Sequence, residues 1–207
     1  MDESWNGGRP LEWDVASRPR SGQTITGDGA VVNLSPDGAL IAAIDGLGHG
    51  PQAARAARIV SEAVRHYQGD ELITLLARCH VALTHSRGAA ISLAVVSTVA
   101  STITWLGVGT VEGRLLSGDE SLPRAKGSLR LVKGLPGYRL PAVRPATLGI
   151  RRGDLVIFAT DGIQAGFEDS LSLSGSPATI AERILGDHSK LTDDALVLVL
   201  RYLGAAA

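Results

Sequence analysis

With 207 residues, 44% of them hydrophobic and 20% charged, the chain has the composition of one globular domain rather than of a disordered or fibrous protein. A formal charge of −1 excludes a globally basic nucleic-acid binder, and no apolar run approaches the roughly 18 residues that a membrane span needs. The stretch from Met1 to Pro10 has no basic region leading into an apolar one, so a cytoplasmic protein without membrane attachment is expected.

Taken in chain order, Gly29 to Leu34 and Ala39 to Ile44 are short runs rich in β-branched residues and predict two strands. Asp37 and Gly38 between them predict a hairpin turn. Pro51 to about Gln68 predicts a helix with Ala53, Ala56, Ala57, Val60, Val64 and Tyr67 on its apolar face, Pro51 in its first turn and Gly69 at its end. Asp70 is placed to cap a second helix reaching about Thr84, whose stripe of Leu72, Leu75, Leu76 and Leu83 includes the lone Cys79, a core thiol with no disulfide partner. Ala89 to Ala100 and Thr102 to Val108 predict two more strands, Asp154 to Thr160 a fifth and Ala195 to Tyr202 a sixth, with a short helix at Pro177 to Leu185. Strands that follow one another without a helix between them imply antiparallel pairing, so the expected class is a layered α+β fold in a single domain, residues 1–207.

Charge is unevenly spread. From Arg114 to Arg152 there are nine Lys or Arg against Asp119 and Glu120, a stretch that is either a solvated face or a surface for an acidic partner. Gly107 to Gly113, G-V-G-T-V-E-G, is one residue too long for a dinucleotide-binding fingerprint and leads into R-L-L rather than a helix, which predicts a strand turn. His66, His80, His85 and His188 share no ligand spacing, and Arg87 packs or turns the chain before the next strand.

The chemistry gathers in aspartates at strand ends. Asp28 precedes a strand, Asp45 follows one, Asp161 ends D-L-V-I-F-A-T-D-G, and Asp193 with Asp194 opens T-D-D-A-L-V-L-V-L. A carboxylate at the mouth of an apolar strand is held rigidly, and several brought together repel unless cations neutralise them. All-oxygen donors suit Mg²⁺ or Mn²⁺, and the cysteine and histidine spacing for zinc is missing. Two such ions can share one carboxylate, activate a water and stabilise in-line displacement at phosphorus. Asp45 is the candidate bridge, with Gly46 after it leaving the backbone carbonyl free to turn towards a cation.

The runs A-I-D-G-L-G-H-G, T-H-S-R-G-A-A, F-A-T-D-G-I and T-D-D-A-L-V-L-V, in this order, resemble the motifs of the PPM (PP2C-like) family of metal-dependent serine/threonine protein phosphatases. Short length and G-V-G-T-V-E-G-R-L place the resemblance among the small bacterial stress and sporulation regulators of RsbX type. It implies a sandwich of two antiparallel sheets flanked by helices, with a dimanganese or dimagnesium centre at one end. By the same resemblance Asp45 would bridge both ions, the Gly46 carbonyl would bind one, and Asp161 and Asp193 would bind the other. Asp28 would hold water of the metal shell, and Asp194 stands where many members carry asparagine.

The implied activity is hydrolysis of phosphoserine or phosphothreonine by metal-activated water on a phosphorylated protein, a stressosome scaffold. The alternatives are a non-catalytic phosphoprotein-binding module of the same fold and a hydrolase of a small phosphorylated metabolite. Three features depart from the family. The stretch S-G-Q-T-I-T lacks the arginine that grips phosphate in relatives, leaving Arg18 and Arg20 further back. His49 is either a general acid or a helix-entry residue. There is also little room for a flap insertion beside the site.

Overall fold

The computed structural model describes residues 10–68, 71–119 and 121–204. In chain order the elements are β1 (Leu11–Arg18), β2 (Asp28–Ser35), β3 (Gly38–Gly46), α1 (Pro51–Arg65), α2 (Leu72–Ala82), β4 (Ala89–Ser97), β5 (Thr102–Val108) and β6 (Glu112–Leu116). They continue with β7 (Ala125–Ser128), β8 (Leu131–Val132), β9 (Ala146–Gly149), β10 (Leu155–Ala159), α3 (Pro177–His188) and β11 (Ala195–Tyr202). One sheet has the order β1-β11-β10-β6-β7, and the other β2-β3-β4-β5-β8, with β9 also paired to β5. Every pairing is antiparallel except the two-residue match of β5 with β8.

The sheets pack face to face over Ile41, Ile103, Leu198, Leu200 and the edge-on pair Trp105 and Phe158, whose ring centroids are 6.4 Å apart. Helices α1 and α2 cover the outer face of the β2–β5 sheet through Ala56, Val60, Val64, Leu75 and Leu76, and α3 covers the other sheet through Ile180, Ala181 and Ile184. The result is the α-β-β-α layering expected from the motifs. Central strands are covered on both faces, which is why β10 reads Leu-Val-Ile-Phe-Ala with no polar alternation and all five residues buried. Each large side chain so buried contributes roughly 1.5–3 kcal/mol from the removal of apolar surface from water.

All six expected strands are present, with ends shifted by a few residues. The run from Ala89 stops at Ser97 because Thr98 to Ser101 turns the chain, Thr98 donating its N–H to the Asp37 carbonyl at 2.8 Å. The β2–β3 hairpin turns at Asp37 and Gly38 as expected. Gly38 has φ of 147°, and a β-carbon there would collide with the Val96 carbonyl.

Helix α1 ends at Arg65, before the expected Gln68, and α2 starts at Leu72 with Glu71 as a cap residue that makes no side-chain cap bond. The expected roles of Gly69 and Asp70 lie outside the described residues. Helix α3 runs on to His188, and its first turn is capped by Ser176, whose Oγ accepts the Thr179 N–H at 3.2 Å. Cys79 is buried in the α2 core, where loss of solvation pushes its thiol up to about 12. Among the described residues no helix is long and apolar enough to cross a membrane.

Candidate metal centre

Antiparallel pairing places the acidic strand ends side by side. In the β2–β3 register Asp28 stands directly opposite Asp45, and Asp45 is opposite Ala90 of β4. On the other sheet β10 runs out into Thr160 and Asp161 just where Asp193 and Asp194 lead into its antiparallel neighbour β11. Both sheets deliver these ends to one cleft of about 460 Å³, lined by Asp45, Asp161, Asp193, Arg20, His49 and Thr110 among others.

Glycines permit this convergence. A β-carbon on Gly46 would collide with the Ala53 carbonyl of α1, and one on Gly162 with the Asp194 carbonyl. Close packing of the helix on the strand end therefore requires glycine at 46, independently of the carbonyl freedom expected of it. Gly48 and Gly50, with φ of 87° and 73°, flank His49 and set the path of the loop that carries it.

Asp28 is buried below the cleft, where its Oδ2 accepts a hydrogen bond from Thr160 Oγ1 at 2.7 Å, and Asp45 Oδ2 accepts one from Thr110 Oγ1 at 3.0 Å. Burial pushes Asp28 up to about 8, with the charge of Asp45 adding to the rise. Asp45 is pushed up to about 7 by burial and then by the charge of Asp161. Asp161 is raised in the same way, by burial and by Asp193.

Asp194 has a different task. Its Oδ1 accepts the Arg20 N–H at 2.8 Å and its Oδ2 the Gly27 N–H at 2.7 Å, so it ties the loop before β2 to the start of β11.

Among the described residues no three carboxylate, imidazole or thiol groups surround one point closely enough to make a finished ligand shell. The donor set still fits a hard divalent cation. Mg²⁺ keeps several waters and takes one or two carboxylates, so a cage of three protein ligands is not required. Burial first, and then mutual repulsion, raises Asp28 and Asp45, and a nearby cation offsets both.

A pH prediction follows from the same shifts. An acid whose folded pKa lies above its ordinary 3.8 binds more protons folded than unfolded, so the stability it contributes is lost as pH rises through that interval. In chelator, the thermal midpoint is expected to fall between about pH 5 and pH 8, and saturating Mg²⁺ or Mn²⁺ to flatten the fall. A chelated protein with no such slope would show that burial and neighbouring charge do not hold these carboxylates above their ordinary range.

Several residues here were not anticipated. Thr110 lies in the G-V-G-T-V-E-G turn, which is a β5–β6 turn as expected but also brings a hydroxyl to Asp45. Thr160 directly precedes Asp161. Gln23 Nε2 lies 2.7 Å from His49 Nδ1, and Lys190 Nζ donates to the Asp161 carbonyl at 2.6 Å. Of the two distant arginines, Arg20 lines the cleft, whereas Arg18 turns to Ser189 Oγ and the Lys190 carbonyl. Arg87 packs its guanidinium against Gly48.

Residues 35–203 match the family model described as Stage II sporulation protein E (SpoIIE). The chain belongs to the SpoIIE family. This SpoIIE-family chain is 24% identical over 146 residues to phosphoserine phosphatase RsbX of Bacillus subtilis (strain 168), a match covering 70% of each chain. A solved structure from work on the bacterial stressosome, a modular system adapted to control secondary messenger signalling, superposes with a TM-score of 0.83. That match has 28% identity and covers 93% of this chain and 100% of the other. RsbX in complex with magnesium gives a TM-score of 0.81 at 21% identity, covering 92% and 94% of the two chains. The fold is that of the PP2C phosphatases, as the motifs implied.

Proposed function

We propose that this chain is a single-domain, metal-dependent protein phosphatase that hydrolyses phosphoserine or phosphothreonine on a bacterial stressosome protein. The observation that carries the reading is the convergence of Asp45, Asp161 and Asp193 with Arg20 in one cleft, above the buried Asp28 that stands opposite Asp45. Membership of the SpoIIE family, the RsbX relative and the stressosome-derived structure support the substrate class and the partner.

In this reading Asp45 would bridge two divalent ions, the Gly46 carbonyl would hold one, Asp161 and Asp193 the other, and Asp28 would act from below through water. The ions, when bound, supply an activated water and offset negative charge at phosphorus. The chain's own residues do the positioning. Arg20 offers a guanidinium to the phosphate oxygens from a backbone pinned by Asp194, and Thr110 and Thr160 fix the carboxylate rotamers. His49, held by Gln23 through Nδ1, keeps Nε2 for a proton to the departing serine oxygen.

Neither the thiol of Cys79 nor the hydroxyl of Ser86 suits covalent catalysis. Cys79 is buried and stays protonated, while Ser86 Oγ donates to the Leu83 carbonyl and accepts the Gly88 N–H, closing the turn after α2. A non-catalytic binding module would have no use for the mutually repelling aspartates.

The test is phosphate release from a phosphoserine peptide with Mn²⁺ or Mg²⁺. Turnover is expected with metal, to vanish in chelator and to return with excess metal. Peptide binding without release under any of these ions would favour the binding module instead.

A further inference from the structure

Exposed apolar side chains scattered singly over a surface carry little information, but four of the ten large ones among the described residues lie on loops that line the cleft or adjoin its lining. Four separate loops each present one: Ile25 (46% exposed), Leu47 (50%), Tyr138 (68%) and Leu191 (67%). Leu47 lines the cleft itself, and Leu191 precedes Thr192 and Asp193, which line it too. The Leu191 carbonyl accepts the Ser21 N–H at 3.0 Å, joining that loop to the one bearing Ile25. Tyr138 donates its N–H at 2.9 Å to the carbonyl of Leu135, another lining residue.

The Tyr138 turn is held rigidly although its tip is open to solvent. Leu135 and Arg139 exchange backbone hydrogen bonds at 3.0 and 2.9 Å across it, and the Gly137 N–H donates to His80 Nδ1 at 2.9 Å. Its carbonyl side packs on the backbone of Gly88, where an added β-carbon would lie 2.7 Å from the Pro136 oxygen. An exposed tyrosine on a backbone so held has only its two side-chain torsions to fix on contact, which is what binding surfaces use in an anchor.

Charge selects the partner. Arg114 and Lys126 in the basic stretch are already neutralised, by Glu112 and Glu168 and by Asp154. Lys133 and Arg139, on either side of the Tyr138 turn, are exposed and make no ion pair among the described residues. A small phosphoester needs only the cleft, where it would meet Leu47 but not Ile25, Tyr138, Leu191 or the two cations, none of which lines it.

Resting on the proposed phosphatase activity, we infer that this rim is a docking surface for a folded protein. That partner carries its phosphoserine within an apolar patch and has acidic residues on the side facing Tyr138. The rim contributes to capture, and the cleft to chemistry.

Steady-state hydrolysis with Mn²⁺ tests this on two substrates, a serine-phosphorylated stressosome scaffold protein and p-nitrophenyl phosphate. Tyr138→Ala is expected to lower kcat/KM on the protein about 30-fold, mainly through KM, and to leave the aryl phosphate within about twofold. Leu191→Ser should act in the same direction. The pair Lys133→Glu with Arg139→Glu should lose most at low salt, and the loss should shrink as ionic strength rises, because surface attraction is screened over about 8 Å at physiological salt. Equal losses on both substrates, no loss on either, or a wild type that cleaves the aryl phosphate but not the scaffold would each overturn the docking surface. A folded wild type that cleaves neither would instead overturn the phosphatase reading on which it rests.

Discussion

Asp45→Asn is expected to lower metal-dependent phosphate release by about 1,000-fold or more, corresponding to about 4 kcal/mol of transition-state stabilisation, while the fold stays intact. The side chain lines the cleft opposite Asp28 in the β2–β3 register and lies within the electrostatic reach of Asp161 and Asp193 from the other sheet. An amide keeps the size and still accepts the hydrogen bond from Thr110 Oγ1, so packing changes little. It loses the charge that would hold two cations together. The same loss relieves Asp28, for which Asp45 is the largest charge pushing its pKa up, so the chelated variant should be at least as stable as the chelated wild type at pH 8. Two measurements decide it: turnover with Mn²⁺ and the thermal midpoint in chelator. A folded variant with near-normal metal-dependent turnover would remove Asp45 from the centre of the mechanism. Asp161→Asn and Asp193→Asn should be nearly as damaging, and Asp28→Asn less so.

The fold was legible where burial is two-sided. Strands β3, β4, β10 and β11 are covered by the opposite sheet within and by helices without, so they appear as almost wholly apolar runs, each with a glycine or an aspartate at one end or both. Strand β1 was not legible, because L-E-W-D-V-A-S-R lies at a sheet edge and is mostly exposed or half-buried, with polar residues at half of its positions and no unbroken apolar run. The short strands β7, β8 and β9 carry too few residues for any period to show.

For the site, the strand-end aspartates could be found in the sequence because each stands at or near the end of an apolar run, and Asp28, Asp45 and Asp161 also adjoin a glycine. What supports them could not. Thr110 and Thr160 are ordinary turn and strand-end residues until tertiary pairing brings them to Asp45 and Asp28. Arg20 precedes Asp28 by eight positions, and its place in the cleft depends on a loop that is folded back by Asp194.

That clamp gives the second large effect, on stability rather than on turnover. Asp194→Ala is expected to destabilise the chelated protein by about 3 kcal/mol, since a buried carboxylate accepting two backbone N–H groups is replaced by nothing that can accept. Hydrogen bonds to a charged group are each worth about 1.5–3 kcal/mol, and two pull the figure upwards. Two things pull it down. Water from the cleft can reach the freed Arg20 N–H, and Asp194 also contributes to the crowding of Asp28 and Asp45, which its loss relieves. For a chain of this length each kcal/mol moves the thermal midpoint by about 2–4 °C, so a fall of roughly 6–12 °C should be seen. Asp194→Asn should lose about half as much, because its one carboxamide oxygen can serve Gly27 or Arg20 but its NH₂ cannot accept from the other. The activity that survives should show a raised KM, since Arg20 is no longer pinned over the cleft. If the alanine variant unfolded normally in chelator and lost only its affinity for Mn²⁺, Asp194 would be a ligand, and the loop before β2 would need another anchor.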